Sequence, residues 1–530
     1  MAEQKRPLGV QISRALKARG VDVIFGIPGV HNIELYRGIE EAGITHVLAR
    51  HEQGAGFMAD GYARATGRVG VAYVITGPGL CNIMTPMGQA YSDSVPLLVI
   101  SSCLERAHRG MGRGRLHEML DQEGAAATVC DWSLSAPDAD GAWQLLDRAF
   151  AEFASARPRA KHIQIPIDVL GAGAAPAPEP GPLPALPRVA ETALDDLAGR
   201  LAAAKRPLFV FGGGAAKGWR AARKLVEATG AASFATYAGR GVIAPDQGLN
   251  FGPLLGRPGS ARIIASADLV VAVGTHLAEV DLWRDHLGHE GPLARIDIDP
   301  AVLTDWHRAE LPLLGDAADA LARLAARGWQ RANGWEAEEV AKARQGFLAE
   351  TDAARPGIAP LVRAMQAALP EETTYYSDMT QFAYVAKEVA ALNRPGLWHH
   401  PTGFGTLGYA LPAAIGGKIG LGEAPVVAVI GDYGFHYTMQ ELGVAVELGL
   451  SLPIVLWDNG KLGEIEDSMT RAQIAPNAVV ARNPDFLKLA EAFGAKACQP
   501  DSIAAFQQAL KAALARPGPT LIRLTPDMAI

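Results

Sequence analysis

Cysteine is scarce in this chain of 530 residues. The four that occur, Cys81, Cys103, Cys130 and Cys498, lie far apart and show no metal-ligand spacing. Neither a disulfide framework nor a zinc site is expected, and the thiols read as reduced and mostly buried, as in a cytoplasmic protein. Long hydrophobic runs are missing as well. None reaches the roughly 18 apolar residues of a membrane span, and the N-terminal stretch Met1-Ala2-Glu3-Gln4-Lys5-Arg6-Pro7 has no signal-peptide core. No membrane partner is expected. Basic charge is not in excess: 49 Lys and Arg stand against 56 Asp and Glu, a net charge of −7 spread along the chain. That balance argues against nucleic acid as a partner. No internal repeat of fixed period is visible.

What remains is an apolar fraction of 49%, ample for buried sheets, in a chain long enough for about three domains of roughly 150 residues. The pattern predicts an α/β fold of three doubly wound parallel-sheet domains. Residues 1–170 alternate helices with short apolar strands such as Val21–Phe25 and Pro96–Ile100. Residues 171–189 form a linker, because Gly171–Pro187 holds six prolines among Ala and Gly. A second α/β unit spans 190–335, with strands at Pro207–Phe211, Leu269–Val273 and Ala294–Ile298. A second linker is expected at 336–357 and a third unit at 358–530.

The third unit carries the most informative stretch. The β-branched run Val426–Ile430 ends in Gly431-Asp432-Tyr433-Gly434, and Leu452–Trp457 ends in Asp458-Asn459, 27 residues past Asp432. A crossover helix is expected at Met439–Leu450 between them. Such a βαβ unit delivers both carboxyl-end loops to one crevice of a parallel sheet, where ligands bind. Asp and Asn are hard oxygen ligands, and Mg²⁺ is held by few protein groups plus phosphate oxygens. A diphosphate cofactor suits that pattern.

The stretch resembles the metal–diphosphate motif of thiamine diphosphate (ThDP) enzymes, with two departures. Tyr433 stands where a second Gly is usual, and Asp458 replaces an Asn. The resemblance implies Mg²⁺ ligation by Asp432, Asn459 and the backbone carbonyl of Lys461, with Gly431, Asp432, Tyr433 and Gly434 against the cofactor. Arg50-His51-Glu52-Gln53-Gly54-Ala55-Gly56 resembles the N-terminal signature of the acetolactate synthase and 2-oxoacid decarboxylase branch. It implies that Glu52 hydrogen-bonds N1′ of the aminopyrimidine, favouring the imino tautomer whose nitrogen removes the thiazolium C2 proton. Gly403–Ala414 resembles the family's Gly-rich loop, with Leu407 as the wedge between the two rings and the Gly405 carbonyl as acceptor for the 4′-amino group. Thr380 and Gln381 match the loop that contacts the diphosphate, though Phe382 replaces the usual following His.

The resemblance covers the whole chain in the order pyrimidine-binding (PYR), central and diphosphate-binding (PP) domain. It implies a homodimer or homotetramer with active sites between subunits. Gly212-Gly213-Gly214 follows a central strand, but the full dinucleotide fingerprint is missing. Gly274-Thr275-His276-Leu277 lacks the Arg that flavin-binding relatives place after Gly-Thr, so no FAD is expected.

ThDP supplies carbanion chemistry on 2-oxoacids, and the protein decides the outcome: protonation gives an aldehyde, whereas attack on a second 2-oxoacid gives an acetohydroxyacid. Val30 and His31, in Gly26-Ile27-Pro28-Gly29-Val30-His31-Asn32, match the loop beside the thiazolium. Along Arg115–Asp121, His117 and Glu118 fall on the synthases' active-site Phe and Gln, and Glu464 falls where an apolar side chain is usual. Two added carboxylates at substrate-facing positions suggest a guanidinium substrate. The set is most similar to 5-guanidino-2-oxopentanoate (2-ketoarginine) decarboxylases of arginine catabolism, which implies catalytic roles for Glu52, His31 and Glu118 and substrate contacts from Val30, His117, Glu118 and Glu464. Acetolactate synthase or another carboligase stays open as the alternative. A non-enzymatic relative would lack Glu52 or Asp432, and both are present.

Overall fold

The computed structural model describes residues 5–528; residues 1–4, the start of the N-terminal stretch considered above, and residues 529–530 lie outside the described residues. Three six-stranded parallel sheets follow one another along the chain. In the first, the spatial order is Thr45–Leu48, Val23–Gly26, Gly70–Val74, Leu97–Cys103, Lys161–Pro166, Trp132–Ser135. The second runs Asn250–Gly252, Ala232–Ala235, Pro207–Phe211, Leu269–Val273, Leu293–Asp297, Leu311–Leu314. The third runs Trp398–His399, Thr374–Ser377, Val426–Gly431, Leu452–Trp457, Pro519–Leu524, Lys496–Cys498. Every residue of Val426–Gly431 and Leu452–Trp457 is buried, as parallel strands covered by helices on both faces must be.

The first and third sheets share one topology: the chain begins at an inner strand, steps to the edge, then returns to the opposite side. Their order therefore reverses between Val23–Gly26 and Gly70–Val74, and between Thr374–Ser377 and Val426–Gly431. At such a reversal the loops diverge and open a crevice. Those loops carry Val30 and His31 in the first sheet, and Thr380, Gln381 and Asp432 in the third. In the central sheet the reversal lies between Pro207–Phe211 and Leu269–Val273, and there the two loops close on one another. Gly212 N–H donates to the Val273 carbonyl at 2.9 Å and Gly214 N–H to the Gly274 carbonyl at 3.0 Å. A Cβ on Gly212 would lie 2.2 Å from the Gly274 oxygen, so the Gly triplet serves this backbone contact.

The first and third domains share one core. The helix Glu52–Thr66 crosses the helix Ala410–Leu421 so closely that a Cβ on Gly61 would lie 2.0 Å from the Ala413 carbonyl oxygen and one on Gly416 1.8 Å from that of Met58. Tyr376 Oη donates to the Gly61 carbonyl across the junction at 2.8 Å. Around it Phe57, Met58, Tyr409 and Ala413 belong to a single buried cluster with Val426 and Ile430.

Several expectations need correction. The crossover expected as one helix over Met439–Leu450 is broken: a helix Asp432–Thr438, a 3₁₀ turn Met439–Glu441 and a helix Leu442–Glu447. Within the first linker, Gly173–Ala174 pairs antiparallel with Arg6–Pro7. The stretch 336–357, expected to be a linker, is largely the 18-residue helix Ala337–Ala354, whose Val340 and Phe347 join the core of the central sheet beside Trp335. Cys81 is exposed and Cys498 half-buried, so only Cys103 and Cys130 are the buried thiols expected, and all four are free. No helix among the described residues is long and apolar enough to cross a membrane.

Candidate active site

Glu52 opens its helix, with His51 as N-cap accepting from Gln53 N–H. The residue is 8% exposed, and its carboxyl accepts from the Asn82 side-chain amide at 2.9 Å. Asn82 sits in the first turns of the helix Pro78–Ser92, reached by the turn Thr76-Gly77-Pro78-Gly79. Gly77 has φ +68°, and Cβ atoms on Gly77 and Gly79 would lie 2.6 Å from the His117 carbonyl oxygen and 3.3 Å from Glu52 Oε1. The turn thus needs glycine to bring backbone against both residues. Gln122, fully hydrogen-bonded in the interior, fixes the turn from behind by accepting from Gly77 N–H at 2.9 Å and donating to the Ser102 carbonyl and Gln164.

His31 joins this group. Its ring lies edge-to-face on His117 at 5.0 Å between centroids, and burial, then the nearby His117, lowers its pKa. The Nδ1 of His31 is buried without a hydrogen-bond partner among the described residues. Val30, next to it, is 65% exposed. Sequence reasoning placed Val30, His31, Glu52 and His117 in one site, and the structure gathers the two histidines and Glu52 around the Gly77–Gly79 turn.

The third-domain half is built on Asp432, 3% exposed. Its carboxylate accepts from Tyr433 N–H at 2.9 Å, Gly460 N–H at 2.8 Å and the Asn483 amide at 2.7 Å. Burial raises its pKa. All three donors are neutral, and Asp432 has no ion pair among the described residues. Asp458 differs. It pairs with Arg523 at 2.7 Å and accepts from Asn483 at 2.7 Å, so the carboxylate that replaces the usual Asn is neutralised by a strand neighbour. Asn459 turns its Nδ2 to Gln381 Oε1 at 3.1 Å. Gly460, at φ +68°, bends the chain, and the antiparallel bridge of Lys461 with Val480 leaves the Lys461 carbonyl without a protein donor among the described residues. A buried carboxylate lacking a cation, an amide and a bent-back carbonyl are the hard oxygen donors a divalent cation takes. These residues fit Mg²⁺.

The surroundings fit a diphosphate. Gly431 faces Thr380 and Gly463 faces Gln381 and Asn459, where added Cβ atoms would lie 3.0, 2.8 and 3.2 Å from the nearest side-chain atoms of those residues. Tyr433 is accommodated because its backbone is helical; the glycine that must stay small is Gly434, whose Cβ would lie 2.7 Å from Asp378. Asp378, fully buried and pushed by burial up to about 7, accepts from Gly408 N–H at 2.8 Å and so holds the Gly-rich loop. Gly405 and Gly408 have φ of +68° and +84°, with half-buried Leu407 between them.

The two carboxylates expected to face substrate are already engaged. Glu118 accepts from the backbone N–H groups of Gly112 at 2.7 Å, Arg113 at 3.3 Å and Arg115 at 3.0 Å. Those bonds, led by Arg115, lower its pKa. Its carboxylate fastens its own loop. Glu464 accepts from Arg355 Nε at 2.9 Å. Sequence reasoning missed Asn82, Gln122, Asn483, Asp378 and Arg355. Only Asp378 had a signal, lying on the loop that directly follows the strand Thr374–Ser377.

Three consecutive parts of the chain match the thiamine pyrophosphate enzymes: the N-terminal TPP binding domain at residues 7–125, the central domain at 194–324 and the C-terminal TPP binding domain at 378–524. The chain belongs to that family. Among its relatives, the "Probable 2-ketoarginine decarboxylase AruI" of Pseudomonas aeruginosa is 45% identical over 97% of this chain and 93% of its own length. The acetolactate synthase of Mycobacterium bovis is 30% identical over 91% of this chain and 82% of its own. The acetolactate synthase isozyme 1 large subunit of Escherichia coli is 28% identical over 99% and 95%.

Proposed function

We propose that the chain is a ThDP- and Mg²⁺-dependent decarboxylase that converts a 2-oxoacid, 5-guanidino-2-oxopentanoate, to CO₂ and 4-guanidinobutanal without net oxidation. The observation that carries the reading is the 45% identity, along 97% of the chain, to a protein named for that substrate. The ligand-accepting residues support it. Asp432, Asn459 and the Lys461 carbonyl hold Mg²⁺, and Thr380, Gln381 and the Gly431–Gly434 turn face the diphosphate. Gly405 and Leu407 meet the rings.

When bound, ThDP supplies the electron sink for loss of CO₂. Glu52, oriented by Asn82, holds the proton at N1′. His31, whose buried Nδ1 has no hydrogen-bond partner among the described residues, would move a proton at the substrate carbon that bears the departing CO₂, with His117 steadying its ring. Val30 flanks the substrate chain. Glu464 offers its carboxylate to the substrate guanidinium, and Glu118 keeps the 110–118 loop in place beside it. The active form is a cytoplasmic homodimer or homotetramer, in which Glu52 of one copy serves Asp432 of another; the four free cysteines suit a reducing compartment.

Carboligation is the second reading, favoured by the similarity to acetolactate synthases. A panel of 2-oxoacids assayed with ThDP and Mg²⁺ separates the two. The proposal expects CO₂ and aldehyde, fastest from the guanidino acid. Acetohydroxyacid from pyruvate as main product would favour the carboligase.

A further inference from the structure

Glu441 is a buried acid outside the site just described. It lies nine residues past Asp432 on the same crossover, is 0% exposed, and points out of its own domain. Its Oε1 and Oε2 both lie 3.1 Å from Arg50 N, and Oε1 lies 2.9 Å from His51 N. Those are the two backbone N–H groups immediately before Glu52. A Cβ on Gly54 would lie 2.3 Å from Glu441 Oε1, so the carboxyl also fills the notch left by that glycine in the first turn of the Glu52 helix. The Arg50 guanidinium does not pair with it: it turns to the Leu48 carbonyl and to Glu447. Burial pushes the Glu441 carboxyl up to about 7, and the nearby Glu52 adds to that rise while the two N–H groups and Arg50 oppose it.

A buried acid without a cation costs stability, and among the described residues its carboxyl takes hydrogen bonds from this one turn alone. The N–H groups it takes up precede the helix, so they set where the helix begins and which way its first side chain leaves the backbone. We infer that Glu441 is a positioning residue for Glu52: by accepting the Arg50 and His51 amides it fixes the turn from which the activating carboxyl is presented. This rests on the reading of Glu52 as the residue that meets N1′. Glu441 ties the crossover that starts at the metal motif to the start of the Glu52 helix, within one chain.

The test is a double-mutant cycle with Glu441→Gln and Glu52→Gln in the full-length holoenzyme. Glu52→Gln alone should cost about 100-fold or more in turnover; near-full activity there would remove the reading of Glu52 itself. Glu441→Gln keeps the size of the side chain but turns an N–H₂ group toward backbone donors. It should lower kcat and the rate of C2 proton exchange of bound ThDP together, by roughly 10- to 100-fold, with KM and the half-saturating ThDP concentration within about twofold. In the cofactor-free protein, amide hydrogen exchange in the peptide carrying Arg50 and His51 should speed up. Placed on Glu52→Gln, the second substitution should add nothing. An equal loss in both backgrounds, or a loss confined to ThDP affinity, overturns the inference. Glu441→Asp, which keeps the charge at shorter reach, should give an intermediate C2 exchange rate, and a wild-type rate there overturns it equally, even if the Gln variant does not fold.

Discussion

Arg355 sets both Nε, at 2.9 Å, and Nη2, at 2.7 Å, on a single oxygen of Glu464, Oε1. Oε2 has no protein partner among the described residues. The carboxylate is therefore already oriented by one guanidinium and keeps an oxygen for a second. Gly463, its neighbour, packs against Gln381 and Asn459, which places this acceptor beside the metal motif.

Substrate preference should consequently depend on Glu464 more than on Glu118. Glu464→Gln should lower the kcat/KM preference for 5-guanidino-2-oxopentanoate over 2-oxohexanoate by roughly 10- to 150-fold, the worth of a charge-assisted contact. Glu118→Gln loosens the loop held by its three amide contacts and should depress both substrates alike. Competition kinetics on the two acids measures this. If both variants keep the wild-type preference, the guanidinium is recognised elsewhere.

Metal retention should distinguish the two acids that share Asn483. Of these two acids, Asp432 is the one with no counter-ion among the described residues, and Asp432→Ala should abolish Mg²⁺-dependent retention of ThDP on gel filtration. Asp458→Asn, which loses the Arg523 pair but restores the residue usual in the family, should keep it. Unchanged ThDP affinity in the Ala variant would show that the metal is bound by other groups.

The helix crossing that joins the first and third domains should tolerate no added carbon. Gly61→Ala forces a methyl group to 2.0 Å from the Ala413 oxygen and should cost about 1 to 3 kcal/mol or more through backbone displacement. Gly199→Ala, with open space around its Cβ in the helix Glu191–Ala203, should be neutral or stabilising by about 0.5 to 1 kcal/mol. Chemical denaturation of the two variants reads the contrast.

Lys387, 5% exposed, has its pKa lowered to about 8 by burial and then by Arg240, against the pull of Glu388 and Asp281. An unfolded lysine titrates near about 10.4. The folded pKa is the lower, so this group's contribution to stability is present above the unfolded value and is lost as pH falls through about 8. Lys387→Met removes that dependence. Its melting temperature relative to wild type should be highest near neutrality and decline as pH rises from about 8 to about 10. A constant difference across that window would mean that Lys387 is not held in its neutral form by burial.

The sequence made the sheets legible where a strand is buried on both faces. Val426–Gly431, Leu452–Trp457, Pro207–Phe211 and Leu269–Val273 are β-branched or aromatic runs that have no other use. The helix Ala337–Ala354 was not legible, because charge lies on nearly every side of it and only Val340, Phe347 and Thr351 are buried. Chemistry at strand ends was visible as residue type. What those side chains hold was not: Asn483 reaches Asp432 and Asp458 from a stretch without regular structure, and the partner of Glu464 lies 109 residues upstream. Such pairings leave no local periodicity. Glu118 shows the same limit within one loop, since its carboxylate folds back on amides only three to six residues away.

The most direct measurement is the product balance from 5-guanidino-2-oxopentanoate with ThDP and Mg²⁺ supplied to the cofactor-depleted protein. One CO₂ and one 4-guanidinobutanal should appear per acid consumed, with no turnover when either cofactor is withheld. Release of CO₂ at half the rate of acid consumption, with a condensed product in place of the aldehyde, or no turnover of this acid while pyruvate is consumed, would contradict the account.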